Sequence, residues 1–182
     1  MSDWIHRIVA PTAIVLSAGV IPCYAATYLT PEQAQKLCFA DATEFAPADV
    51  TLTREQMKAV ERHSGVRVRL DAQKIWRAHA GSNFLGWVIQ DEVLGKHEFI
   101  QWVLAVNADG SVRQIEILDY RETYGYEIRN EKWRAQFTGK QHGAELKLDS
   151  DIQNISGATL SCRHITDGVK RLLALHDRVL KH

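Results

Sequence analysis

Six residues near the C-terminal end, Ser156-Gly157-Ala158-Thr159-Leu160-Ser161, carry the most concentrated chemical signal in the chain. Small residues let the backbone turn tightly and come close to a ligand. Three hydroxyls fall within the six, and an apolar pattern at helical spacing begins just behind them. The hydroxyls therefore sit where the first free N–H groups of a helix point. Such a start either caps itself with Ser or Thr or receives a phosphate group. Spacing alone leaves both open.

A second cluster lies upstream. Residues 122–140 read ETYGYEIRNEKWRAQFTGK, with Glu122, Thr123 and Gly125 followed by Trp133, then Gln136, Phe137, Gly139 and Lys140. Taken together, the two segments resemble the FMN-binding domain family. Ser or Thr, Gly-Ala-Thr, any residue, then Ser or Thr is that family's flavinylation motif. Its upstream signature is Glu-Thr-x-Gly, an aromatic residue and Gln-Phe-x-Gly-Lys. Members are flavin-carrying subunits of sodium-pumping quinone reductases and Rnf-type electron-transfer complexes, and smaller exported flavoproteins.

The resemblance implies FMN esterified through its phosphate to Ser161 by a separate periplasmic flavin transferase. Ser156, Gly157, Ala158, Thr159 and Leu160 then position the cofactor. Tyr124, Tyr126 and Trp133 are candidates for the ring face; Glu122, Thr123 and the backbone at Gly125 are candidates for the ring edge or ribityl chain. Three positions depart from the family pattern. Ser161 replaces the more frequent Thr, Tyr124 follows Thr123 where Pro is usual, and Gln153 holds a place that is usually acidic, with Asp151 two residues earlier. The implied function is an exported electron carrier working with a membrane redox partner, rather than a stand-alone enzyme. The alternatives are a non-redox binding or scaffolding module on the same fold, and a flavin reductase with non-covalent FMN.

Other chemistries are poorly served. No Gly-x-Ser-x-Gly elbow, phosphate-binding Gly-Lys loop or dinucleotide glycine string occurs. The histidines are scattered without metal-ligand spacing. Lys plus Arg and Asp plus Glu both number 22 in the 182 residues, and this neutrality argues against a broad nucleic-acid footprint.

The length favours one domain. Residues 1–25 read as a signal peptide: Arg7 precedes an apolar run, and Cys23 and Ala25 are the small residues of a cleavage site. An uncleaved anchor is the competing reading, weakened by Pro11, Gly19 and Pro22. The location expected is the periplasmic or cell-surface side of a bacterial inner membrane. Residues 26–182 then form a single FMN-binding domain, with an N-terminal helical and first-strand part over 26–83 and a flavin-binding core over 84–182. After cleavage Cys38 and Cys162 remain, either bonded or as two buried thiols.

The elements that must position the motif follow from pattern. Thr30-Pro31 with Gln33, and Thr53 with Gln56, are capping boxes that open two helices, and Gly65 stops the second. An irregular stretch containing Pro47 joins them. Strands are predicted at 66–69, 75–79, 84–90, 99–106 and 112–118, with a turn at Asn107–Gly110. A short helix spans about 130–137. A last helix starts near Ser161 or Arg163, with Ile165, Val169, Leu172, Leu173 and Leu180 on one face. The expected fold is α+β: an antiparallel sheet covered by helices, with a long C-terminal helix preceded by the flavin-attachment loop.

Overall fold

A computed structural model describes residues 28–181. Both capping boxes form. Thr30 and Gln33 bond reciprocally at the start of α1 (Pro31–Cys38), and Thr53 and Gln56 do the same for α2 (Arg54–Ser64). Gly65 ends α2 at φ 69°, a left-handed conformation that glycine adopts without strain.

The link between these helices is more regular than expected. It forms β1 (Glu44–Pro47) and β2 (Val50–Thr51), and both pair antiparallel with β3 (Ala72–Ala80). Pro47 has no N–H to give, and it sits at the end of an edge strand, where that loss is tolerated. The opposite correction applies to 66–69, which alternates like a strand but is not one. The Val68 N–H is bonded to the Glu61 carboxylate of α2 at 2.9 Å, so that donor is unavailable to a ladder.

β4 (Asn83–Leu94), β5 (Phe99–Asn107) and β6 (Val112–Asp119) complete an antiparallel sheet in the order β1-β3-β4-β5-β6. The Asn107–Gly110 turn is held by Asp109, whose carboxylate accepts from the Ser111 N–H and hydroxyl. Along β5 the side chains alternate between the two faces. Val103 and Ala105 pack with Ala34, Cys38 and Phe39 of the α1 end. Trp102, Leu104 and Val106 pack with α2 and with α4 (Thr159–Leu175). Cys38 and Cys162 therefore lie on opposite sides of the sheet as free buried thiols. Burial pushes them up to about 12 and about 11, respectively.

Four contacts fix α4, whose start carries the motif. Ile165, Val169, Leu172 and Leu173 are fully buried on the sheet, each worth roughly 1.5–3 kcal/mol. Gly168 leaves room for Trp102, since a Cβ there would stand 2.6 Å from the indole Cζ2. Arg171 pairs with the buried Asp91 of β4, and His164 Nδ1 donates to the Leu94 carbonyl. The fold class is the α+β arrangement the pattern predicts.

Candidate functional site

The helix starts earlier than its apolar pattern suggests. α4 begins at Thr159, so Thr159 and Ser161 lie within its first turn rather than ahead of it. Ala158 takes the cap position, and among the described residues no side chain caps the helix. The serine-cap reading is thus not what forms. The first N–H groups of a helix have no partner within it, and the residue best placed to satisfy them is an alanine. Ser156 and Gly157 are exposed, Gly157 turns at φ 82°, and among the described residues no atom beyond its chain neighbours lies within 4 Å of where its side chain would be. Leu160 is 41 % exposed. Ser161 itself is 3 % exposed, and its Oγ lies 3.5 Å from the Tyr120 hydroxyl.

Beside this loop runs a strap, residues 120–125, that leaves the end of β6. The Glu122 carboxylate accepts from the His97 N–H at 2.6 Å and the Glu98 N–H at 3.1 Å, in the β4–β5 turn. Partial burial opposes its charge, but the N–H groups of His97, Glu98 and Lys96 outweigh that and hold the carboxyl below its ordinary range. Further on, Gly125 turns at φ 85°. A Cβ there would stand 2.4 Å from the Ala158 Cβ and 2.7 Å from the Tyr120 hydroxyl. Only glycine lets the strap lie this close to the motif loop. Thr123 is exposed, and Tyr124 and Tyr126 stand out at 75 % and 65 % exposure.

The rest of the upstream signature braces the approach to the loop. Asn130 caps a short helix (α3, Glu131–Arg134) that continues as a tighter turn through Phe137. Trp133 is buried edge-on against Phe137, and its Nε1 donates to the Gln153 carbonyl at 2.7 Å. Gln136 accepts from the Gln153 N–H at 2.8 Å and donates to the Trp133 carbonyl at 3.0 Å. Lys140 pairs with Asp151 at 2.7 Å, and Asp151 also accepts from the N–H groups of Leu146 and Lys147. Burial works against the Asp151 charge, yet Lys140 and these N–H groups hold its carboxyl low.

Residues 95–174 match the family model of the FMN-binding domain. This segment belongs to that family. FMN is its cofactor. One component of the proton-translocating ferredoxin:NAD(+) oxidoreductase complex of Clostridium ljungdahlii is 26 % identical to the chain over 133 residues, 69 % of this chain and 72 % of that protein. A component of the Na(+)-translocating ferredoxin:NAD(+) oxidoreductase complex of Acetobacterium woodii is 29 % identical over 91 residues, 45 % of this chain and 44 % of that protein. The crystal structure of Shewanella oneidensis NqrC shares the fold, with a TM-score of 0.53 at 14 % identity over 78 % of this chain and 82 % of that one.

The residues of this FMN-binding domain suit the cofactor's two ends. An uncapped helix start beside a glycine with open space fits a phosphate. Exposed Tyr124, Tyr126 and Leu160 offer apolar surface of the kind a flavin ring covers. Gly125 brings the strap against Ala158, so Ser156–Ser161 and 122–125 do come together. Trp133 stands apart as a buried brace, and Glu122 spends its carboxylate on the neighbouring turn. A cavity of about 650 Å³ beside α4, with Asp91, His164, Gly168 and Arg171 among its walls, is lined by none of the predicted site residues. Sequence reasoning missed Tyr120. It stands just ahead of the Glu-Thr-x-Gly signature and reads as an ordinary strand-end aromatic, and no local pattern marks its hydroxyl.

Proposed function

We propose that this chain is an exported electron-transfer flavoprotein whose FMN is attached through its phosphate to Ser161 Oγ. One observation carries the reading: the Ser156–Ser161 motif stands at the uncapped start of a long helix, next to exposed aromatic side chains. A phosphodiester keeps a negative charge, and contacts at a helix start stabilise it by about 0.3–1 kcal/mol. That is too little to retain a cofactor on a shallow surface, so a covalent tether matches the geometry. When bound, FMN supplies reversible one- and two-electron transfer.

The chain's own residues hold and orient. The first-turn N–H groups of α4 would hold the phosphate, and the open space at Gly157 would leave it clearance. Exposed Tyr124 and Tyr126 would cover part of the ring, while Glu122 and Trp133 keep the strap and the loop in place. Because Ser161 is 3 % exposed, loading requires a local shift of its exposed neighbours: Ser156, Gly157 and Leu160 in the motif, or Thr123 and Tyr124 in the strap.

The ferredoxin:NAD(+) oxidoreductase relatives favour a membrane redox protein as partner, and a periplasmic flavin transferase would attach the cofactor. The proposed signal peptide, residues 1–25, lies outside the described residues. Among the described residues no helix is long and apolar enough to cross a membrane. Protein made beside an active transferase is expected to stay yellow after denaturation and filtration, and Ser161→Ala to be colourless under the same treatment. Flavin released by denaturation would support the reductase reading instead, and colourless wild-type protein the scaffold.

A further inference from the structure

We infer that Tyr120 is a positioning residue for flavin attachment: its hydroxyl oxygen orients the Ser161 hydroxyl for attack on phosphorus. The inference rests on the proposed attachment at Ser161 and adds to it a second residue, on another element.

Three observations support it. Tyr120 is 3 % exposed and belongs to the core beneath α4, so its ring is held by packing at the end of β6. Its hydroxyl donates to the Tyr124 carbonyl; a carbonyl only accepts, so the direction of that bond is fixed. Toward Ser161 Oγ, 3.5 Å away, the phenol oxygen is therefore left as an acceptor. Among the described residues no other side chain lies within hydrogen-bond reach of Ser161 Oγ. Gly125 completes the arrangement, because any side chain there would displace the Tyr120 hydroxyl or Ala158.

The chemistry follows from the donor directions. Ester formation from a free phosphate is uphill in water, so the donor must be a flavin nucleotide held in a phosphoanhydride. The Ser161 Oγ–P bond forms, the anhydride P–O bond breaks, the departing phosphate leaves as an anion, and the serine proton is released to solvent. A serine O–H pointed at Tyr120 keeps its lone pairs free for phosphorus. Tyr120 does not act as the base: burial raises its phenol above the ordinary range, although Ser161 partly offsets this, and the group stays protonated.

The test is transferase-catalysed labelling of the full chain with a flavin dinucleotide, followed by intact mass over time, for wild type, Tyr120→Phe, Tyr120→His and Ser161→Ala. Tyr120→Phe keeps the ring and removes the oxygen. Its labelling kcat is expected to fall about tenfold, the order expected for one lost hydrogen bond. The KM for the protein and the melting midpoint should stay within error of wild type. Tyr120→His, which offers a ring nitrogen as acceptor, is expected to recover part of the rate. Labelling of Tyr120→Phe at the wild-type rate, or a loss that tracks only its melting midpoint, overturns the proposal while Ser161→Ala remains unlabelled. If Ser161→Ala is labelled like wild type, the attachment site itself is wrong and this role falls with it.

Discussion

The two motif segments sit side by side but spend their polar groups differently. In the upstream segment Glu122, Trp133, Gln136 and Lys140 all bond within the protein: to the β4–β5 turn, to the Gln153 backbone and to Asp151. In the downstream segment Ser156 and Gly157 are exposed, the helix start is uncapped, Thr159 accepts from Asn154, and among the described residues Ser161 has only the long contact to Tyr120. One segment is architecture and the other is left unfinished. A shared family signature therefore mixes residues that build a site with residues that meet its ligand, and substitutions should separate the two.

The largest separation is expected at Trp133. Trp133→Ala removes a buried indole and the bond that holds Gln153, so urea unfolding should show a loss of about 3–5 kcal/mol. Gly125→Ala comes next. It forces an L-residue to φ 85° and drives a methyl group into Ala158, which should cost roughly 2–3 kcal/mol in the same measurement and also slow flavin loading. Equal stability of Gly125→Ala and wild type would mean the strap does not press on the loop.

Glu122 sharpens the comparison through pH. Its folded pKa lies below the unfolded value, so its contribution is present above the ordinary glutamate pKa and is lost as pH falls through the depressed one. Glu122→Gln should be less stable than wild type by about 0.5–1 kcal/mol at neutral pH, since solvent screens this partly exposed carboxylate, with the two melting curves converging in acid. A constant gap across pH would show that the Glu122 charge is not what holds the turn. The smallest effect on folding is expected for the exposed pair: Ser156→Ala with Tyr124→Ala should shift stability by less than about 0.5 kcal/mol, yet alter the flavin absorption band.

Much of this is legible in the chain. The capping boxes at Thr30 and Thr53 are local chemistry, and they form as read. The apolar face of α4 is visible at helical spacing, and so is the motif at its start. What is not legible depends on partners distant in sequence. Val66 and Val68 alternate like a strand, but the Val68 N–H is taken by Glu61. The segment around Pro47 looks irregular until β3 offers it an edge. Trp133 reads as a ring face because aromatic residues serve both cores and flavins, and only burial separates the two. Tyr120 becomes meaningful only when β6 and α4 are brought together.

Attachment at Ser161 is tested most directly by peptide mapping of protein made beside an active flavin transferase, denatured and digested before mass analysis. A flavin phosphate is expected on the peptide containing Ser161, with fragment ions assigning it to that hydroxyl, and no flavin peptide from Ser161→Ala. Flavin on a different residue, or flavin that washes away entirely on denaturation, would contradict it.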